Sequence, residues 1–177
     1  MSFASGHENI ERLSTARNLL IDPGFFTVDY MASTGLREIT GSSGSHSSGM
    51  SAYLKGIAKE LSNNLSRPYE NISHIDEGLR TGSFRMFGKE IDLSQFHKKA
   101  LLELKPAAEV IANTVGTGEA IDQIVLVGGG APVFKDLVRA ILPEHPILIA
   151  EQSITANVLG FQMIGESMMT HSTREAA

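Results

Sequence analysis

The chain has no cysteine. Disulfides, thiolate nucleophiles and cysteine-bound metals are therefore excluded, and a reducing compartment is compatible with that absence. It has no basic run longer than Lys98-Lys99, and its net charge is −5 over 177 residues. Broad affinity for nucleic acid or acidic membranes through charge alone is thus not expected. No stretch approaches the roughly 20 apolar residues of a membrane span. The opening residues, MSFASGHENIERLSTARN, hold no apolar core of the signal-peptide kind. Two nucleotide-binding signatures are missing as well: there is no G-x-G-x-x-G and no G-x-x-x-x-G-K-[ST]. The histidines show no metal-ligand spacing and read as solvated or capping side chains.

What is present is an ordinary apolar share, 42% of the residues, enough for the core of one domain or of one domain with a small insert. The organising stretch is Ile124–Leu142, IVLVGGGAPVFKDLVRAIL. Apolar residues run into three glycines, then a proline, then an amphipathic segment. That pattern predicts a buried strand, a tight turn and a helix 131–142 with proline in its first turn. Glycines let a backbone approach a ligand closely, and a helix N-terminus offers N–H groups and a positive dipole end. A tight turn with close packing would produce the same sequence, so Gly128–Ala131 alone decides nothing.

Ahead of it, Asn18–Asp22, Phe25–Ser33 and Leu36–Thr40 read as three strands joined by short glycine-containing turns, an antiparallel meander. Gly41–Gly49 (GSSGSHSSG) reads as a surface loop, with a second phosphate-side loop as the alternative. A helix follows, its apolar face carrying Met50, Tyr53, Leu54, Ile57, Leu61 and Leu65, with Ser47 or Ser48 as cap. Residues 66–91 change character: a short helix around Tyr69–Leu79 and a small hairpin about Gly88 predict a compact insert. Asp92–Val115 reads as one long helix, capped by Asp92 and kinked or split at Pro106. Beyond the glycine turn come a short strand, Ile147–Ala150, and a last helix, Thr155–Met168. The expected fold is α/β, a mixed five-stranded sheet with helices on its faces. Its expected divisions are an N-terminal arm 1–17, a main domain 18–65 and 92–169, the insert 66–91 and a tail 170–177.

The second candidate site is Leu20–Tyr30, LIDPGFFTVDY. Asp22 ends a buried strand and can hold a phosphate-coordinated Mg²⁺ or its water. Gly24, the N–H groups after it and the Thr27 hydroxyl can meet phosphate oxygens. Asp29 reads as a brace for the turn. An Asp-Pro-Gly β-turn with no ligand is the competing reading. Glu77 and Arg80 share a helix face and could reach a base or ribose, or simply pair with neighbours at the surface.

Taken together, Asp22-Pro-Gly-Phe-Phe-Thr-Val-Asp29 resembles the second phosphate loop of the actin, sugar-kinase and heat-shock-chaperone ATPase superfamily, and Val127-Gly-Gly-Gly-Ala131 resembles its adenosine loop. Glu151–Phe161 is similar to its small-residue final helix. Within the superfamily the resemblance is to bacterial actin-like ATPases of plasmid segregation, the ParM or StbA type, over residues 10–168. It implies an actin-type, ribonuclease-H-like domain that binds ATP and Mg²⁺ in the cytoplasm. Asp22, as the catalytic and metal-facing carboxylate, would stand with Gly24 and Thr27 at the phosphates. Gly128, Gly129, Gly130 and Ala131 would line the adenosine, and the insert would cover the base. Self-association into filaments and a DNA-bound adaptor protein are the partners implied, with no direct nucleic-acid or membrane contact. A non-catalytic assembly module, or part of a small-metabolite kinase of the same superfamily, are the alternatives.

Two departures qualify the resemblance. Phe25-Phe26 stands where the family carries Gly-Gly or Gly-Thr. The first phosphate loop and the group that orients the attacking water have no counterpart here, so the chain reads as the C-terminal half of such a protein. Alone it is expected to bind nucleotide weakly and turn it over poorly.

Overall fold

The structure, a computed structural model, describes residues 13–35 and 37–150. The expected final helix and tail, and most of the expected N-terminal arm, lie outside these residues. Strands β1 (Arg17–Pro23), β2 (Val28–Thr34) and β3 (Arg37–His46) form the antiparallel meander. Strand β6 (Gln123–Leu126) pairs parallel to β1, and β7 (Ile147–Ile149) pairs parallel to β6. The sheet order is β3-β2-β1-β6-β7, a mixed five-stranded sheet flanked by helices, as the hydrophobic pattern predicts. The buried alternation of Leu19 and Ile21 on β1 meets Val28 and Tyr30 on β2 and the wholly buried β6.

Strand β3 departs from expectation. It continues through the glycine-serine stretch to His46 instead of ending at Thr40. Met31 pairs with Ser43 and Ser33 with Glu38, which leaves residues 39–42 bulged opposite Ala32 alone. Gly41, at φ +79°, takes the left-handed turn the bulge needs. The Glu38 carboxylate accepts the Ser43 hydroxyl across its base. At Gly44 a side chain would meet the ring and hydroxyl of Tyr30 at 2.6–3.2 Å, so small residues let β3 lie under that ring. Strand β2 in turn starts at Val28, not Phe25, because Phe25 and Phe26 belong to the turn.

Helix α1 (Met50–Leu65) buries Tyr53, Leu54, Ile57, Ala58 and Leu61 along one face. Neither Ser47 nor Ser48 caps it: the N-cap is Gly49, without a side-chain bond. Its first amides are satisfied from a distance instead. Gly49 N–H donates to Phe26 O (3.1 Å), Met50 N–H to Gly24 O (2.9 Å) and Ser51 N–H to Phe25 O (2.7 Å). Residues 66–91, the expected insert, hold α2 (Ile72–Thr81), capped by Asn71 and ended by Gly82, and the hairpin β4 (Arg85–Met86) and β5 (Lys89–Glu90). Phe87 and Gly88 both have positive φ, the geometry of a type I′ turn.

The expected long helix is broken. Asp92 caps a 3₁₀ turn over Leu93–Phe96, followed by the one-turn helix α3 (His97–Ala100), a second 3₁₀ turn over Leu101–Leu104, and α4 (Lys105–Val115). Pro106 sits in the first turn of α4, where its missing N–H costs nothing. Alpha-helix α5 (Ala131–Ile141) buries Ala131, Phe134 and Val138 against the sheet and α4. Among the described residues no helix is long and apolar enough to cross a membrane.

Candidate functional site

Strands β1 and β6 are parallel neighbours, and the sheet grows away from them in opposite directions: β1 leads to β2 and β3, β6 leads to β7. The loops that leave their carboxyl ends therefore open side by side. In open α/β sheets this reversal point is where ligands bind. Here those loops are residues 22–27 and 127–130, the two stretches singled out from the sequence.

They touch. Val127 N–H donates to Ile21 O at 3.0 Å and Gly130 N–H to Pro23 O at 3.1 Å. A Cβ on Gly128 would lie 2.0 Å from Asp22 Oδ1, and Gly128 has φ +76°. A Cβ on Gly130 would lie 2.5 Å from Pro23 O and 2.6 Å from Met50 Cγ. Two of the three glycines are thus demanded by packing between the loops. Gly129 is not: it is exposed, its φ is not positive, and a Cβ there would meet nothing among the described residues within 4 Å. Ala131 is fully buried beneath the turn, as the first residue of α5.

The hairpin turn is held from below. Gly24 N–H closes a three-residue turn onto Asp22 O at 3.0 Å. The carbonyls of Gly24, Phe25 and Phe26 all face the start of α1. Gly49 is packed so tightly beneath them that a Cβ would sit 2.6–2.7 Å from Phe26 C, Gly24 O and Thr27 N. The phenylalanine rings point outward, 46% and 72% exposed, edge to face at 4.8 Å. Asp29 lies directly across from Asp22 in the β1–β2 register, and its carboxylate accepts the Thr27 hydroxyl at 2.9 Å.

A cavity of about 620 Å³ opens between α2, the β4–β5 hairpin and the 91–97 segment, with Tyr53 and His97 on its wall. Tyr53 lies one helical turn beyond Met50. Its burial raises the phenol's pKa, so it keeps its proton and can donate to His97 Nδ1, 2.9 Å away. The other imidazole nitrogen faces Asp136 of α5 at 3.6 Å, which favours the proton on Nε2. The cavity wall is thereby tied to both helices that start at the two loops. His97 and Tyr53 carried no motif; only the fold brings them together. Arg80 pairs with Asp76 at 3.2 Å on its own helix. His145, expected to be a solvated or capping side chain, is buried, with Nε2 2.9 Å from Gly118 O.

Residues 20–140 match the family described as archaeal actin homologue MreB-like, C-terminal. The chain belongs to this family. No curated protein sequence matches it. Among solved structures, this MreB-like C-terminal domain is similar to the archaeal actin homolog Ta0583, at a TM-score of 0.74 and 16% identity, covering 91% of this chain and 52% of that one. A ParM filament from Clostridium botulinum matches at a TM-score of 0.71 and 19% identity, over 91% of this chain and 49% of the other. Ta0583 in complex with ADP matches at a TM-score of 0.75 and 16% identity, over 91% and 53%. At such identities the likeness shows the actin fold, and the domain spans about half the length of the structures it matches.

Proposed function

We propose that this domain forms one wall of the nucleotide cleft of an actin-like, filament-forming ATPase. The observation that carries the reading is Gly129. Packing accounts for Gly128 and Gly130, but among the described residues nothing requires a glycine between them. A glycine open to the crevice at the sheet's reversal point is explained by a ligand that comes close to the backbone there. The ADP-bound archaeal relative supports a nucleotide as that ligand. The cavity beside Tyr53, of a size common for small-molecule sites, would take the base.

The residues present fit Mg²⁺–ATP. Among the described residues no three His, Asp or Glu side chains gather as a metal cage. Mg²⁺ characteristically keeps waters and binds through one or two carboxylates plus phosphate oxygens, and Asp22 is the carboxylate we assign to it. The bound metal would neutralise charge on the transferring phosphoryl group. The chain's own part is to place the phosphates by the Asp22–Thr27 turn and the adenosine by Gly128–Ala131. Filament assembly in plasmid segregation, through a DNA-bound adaptor and in the cytoplasm, is the setting we propose, supported by the likeness to a ParM filament.

Titration of the chain with a fluorescent ATP analogue tests this. The unmodified chain should bind weakly, in the high-micromolar range or above, and Gly129→Val should abolish binding without changing the unfolding midpoint. Equal affinity in the two proteins would overturn the assignment of Gly129. Tight binding with steady turnover by the chain alone would overturn the single-wall reading. A non-catalytic assembly module is the second reading, favoured by the exposed Phe25-Phe26 pair. Pelleting of the chain that ignores ATP would select it.

A further inference from the structure

We propose that His97 is a positioning residue that struts α1 against α5, so that a ligand filling the cavity steadies both turns of the crevice at once. The proposal rests on the nucleotide reading above and adds how its base site acts on the two turns.

The two helices touch first at their starts, where Met50 Cγ stands 2.6 Å from the place a Cβ on Gly130 would take. One contact leaves a hinge, because helices joined at a single point can splay. His97 supplies a second contact. Its segment is seated on α1 through Ala100, whose Cα lies 3.0 Å from the place a Cβ on Gly56 would take. From that seat the ring reaches both helices. Nδ1 accepts the Tyr53 hydroxyl at 2.9 Å, and Nε2 faces Asp136 Oδ2 at 3.6 Å. A neutral imidazole has one acceptor nitrogen and one N–H, so both are committed. A ligand in the cavity, whose wall includes His97, meets the flank of the ring and finds no ring nitrogen to read it. What the ligand can do is hold the ring still. Tyr53 belongs to the helix whose Met50 and Ser51 amides hold the carbonyls of Gly24 and Phe25 at 2.9 and 2.7 Å. Asp136 belongs to the helix whose Phe134 amide holds Gly130 O at 3.0 Å. Steadying the ring therefore reaches the 22–27 turn through one arm and the 128–130 turn through the other.

Amide hydrogen exchange of the full chain, without ligand, tests the strut. His97→Leu keeps the bulk and loses both polar contacts, so exchange at Met50, Ser51 and Phe134 should quicken about fivefold, the worth of one ordinary hydrogen bond. The arms should separate. Tyr53→Phe should quicken Met50 and Ser51 and spare Phe134. Asp136→Asn should do the reverse, and added salt should mimic it, since Asp136 is 70% exposed and open to screening. His97→Asn keeps an acceptor near the place of Nδ1, so it should rescue Met50 and Ser51 alone. A ring that merely packs would quicken residues 93–97, or every amide by one factor, and either result would overturn the proposal. So would equal effects of Tyr53→Phe and Asp136→Asn on both turns, which decides the matter even if His97→Leu does not fold. Adenosine, a probe without phosphates, tests the ligand's part by nuclear magnetic resonance. It should shift the Phe26 and Thr27 amide resonances of the unmodified chain and leave them in place in Tyr53→Phe. Shifts at Leu79 and Ile91 with none at Phe26 and Thr27 would overturn the proposal and leave the base in its cavity. No shift anywhere at millimolar adenosine would remove the base from the cavity, and the proposal's ligand with it, a failure of the nucleotide reading distinct from the others.

Discussion

The two turns of the crevice are built on opposite principles. The 128–130 turn is shaped by the absence of side chains: two glycines vanish into contacts with Asp22, Pro23 and Met50, and the third stands open. The 22–27 turn carries two bulky residues, Phe25 and Phe26, and turns them to solvent. Its shape comes from backbone carbonyls that serve as the cap of α1. One turn is fixed by what touches it from the side, the other by what it holds underneath. Rigidity in such a turn thus does not require glycine at every position, and bulky residues are compatible with it when their rings point outward.

Substitutions can break this contrast, in a predicted order. Gly128→Ala should cost the most, about 2–3 kcal/mol, because it adds left-handed strain to a clash with the Asp22 carboxylate; urea unfolding would measure it. Gly49→Ala should follow, at about 2 kcal/mol, since its Cβ would press on three backbone atoms of the other turn. The accompanying sign would be loss of hydrogen-exchange protection at Met50 and Ser51. Gly129→Ala should change stability by less than about 0.5 kcal/mol. A large loss there would mean that the fold, not a ligand, explains this glycine. The smallest effect concerns pH at the base of the cavity. The Ser94 side chain and amide both donate to the Asp92 carboxylate and lower its pKa. A carboxyl lowered on folding stabilises the fold above the ordinary carboxylate range and loses that contribution as pH falls through its own, lower value. The Ser94 amide resonance should therefore shift only at pH values below those at which free aspartates titrate.

Local chemistry made much of this legible. Apolar runs located β1, β6 and the buried face of α1. Asn71 was not foreseen as a cap, but Asp92 was, and Pro106 marked a break that the structure places at the first turn of α4. The paired turns were legible because strand, glycine and proline follow one another within a few residues. What escaped the sequence depends on distant partners. Ser43–His46 has no strand pattern of its own and becomes one by pairing with β2. The cap of α1 comes from carbonyls some 25 residues earlier, so Ser47 and Ser48 were misleading candidates. The two 3₁₀ turns reflect how residues 93–104 fit against α1, where Gly56 admits Ala100 at close range. Asp29 was recognisable as a brace; its grip on the Thr27 hydrogen needed coordinates.

The bulge in β3 bears on how copies of this domain can meet. A straight ten-residue border strand would present a continuous ladder of open amides and carbonyls some 33 Å long, an invitation to any passing chain. Here the ladder is cut into residues 37–38 and 43–46 by the looped-out 39–42. Neither fragment is long enough to template a neighbour. Along this border of the described sheet, a second copy finds no continuous edge on which to add a strand.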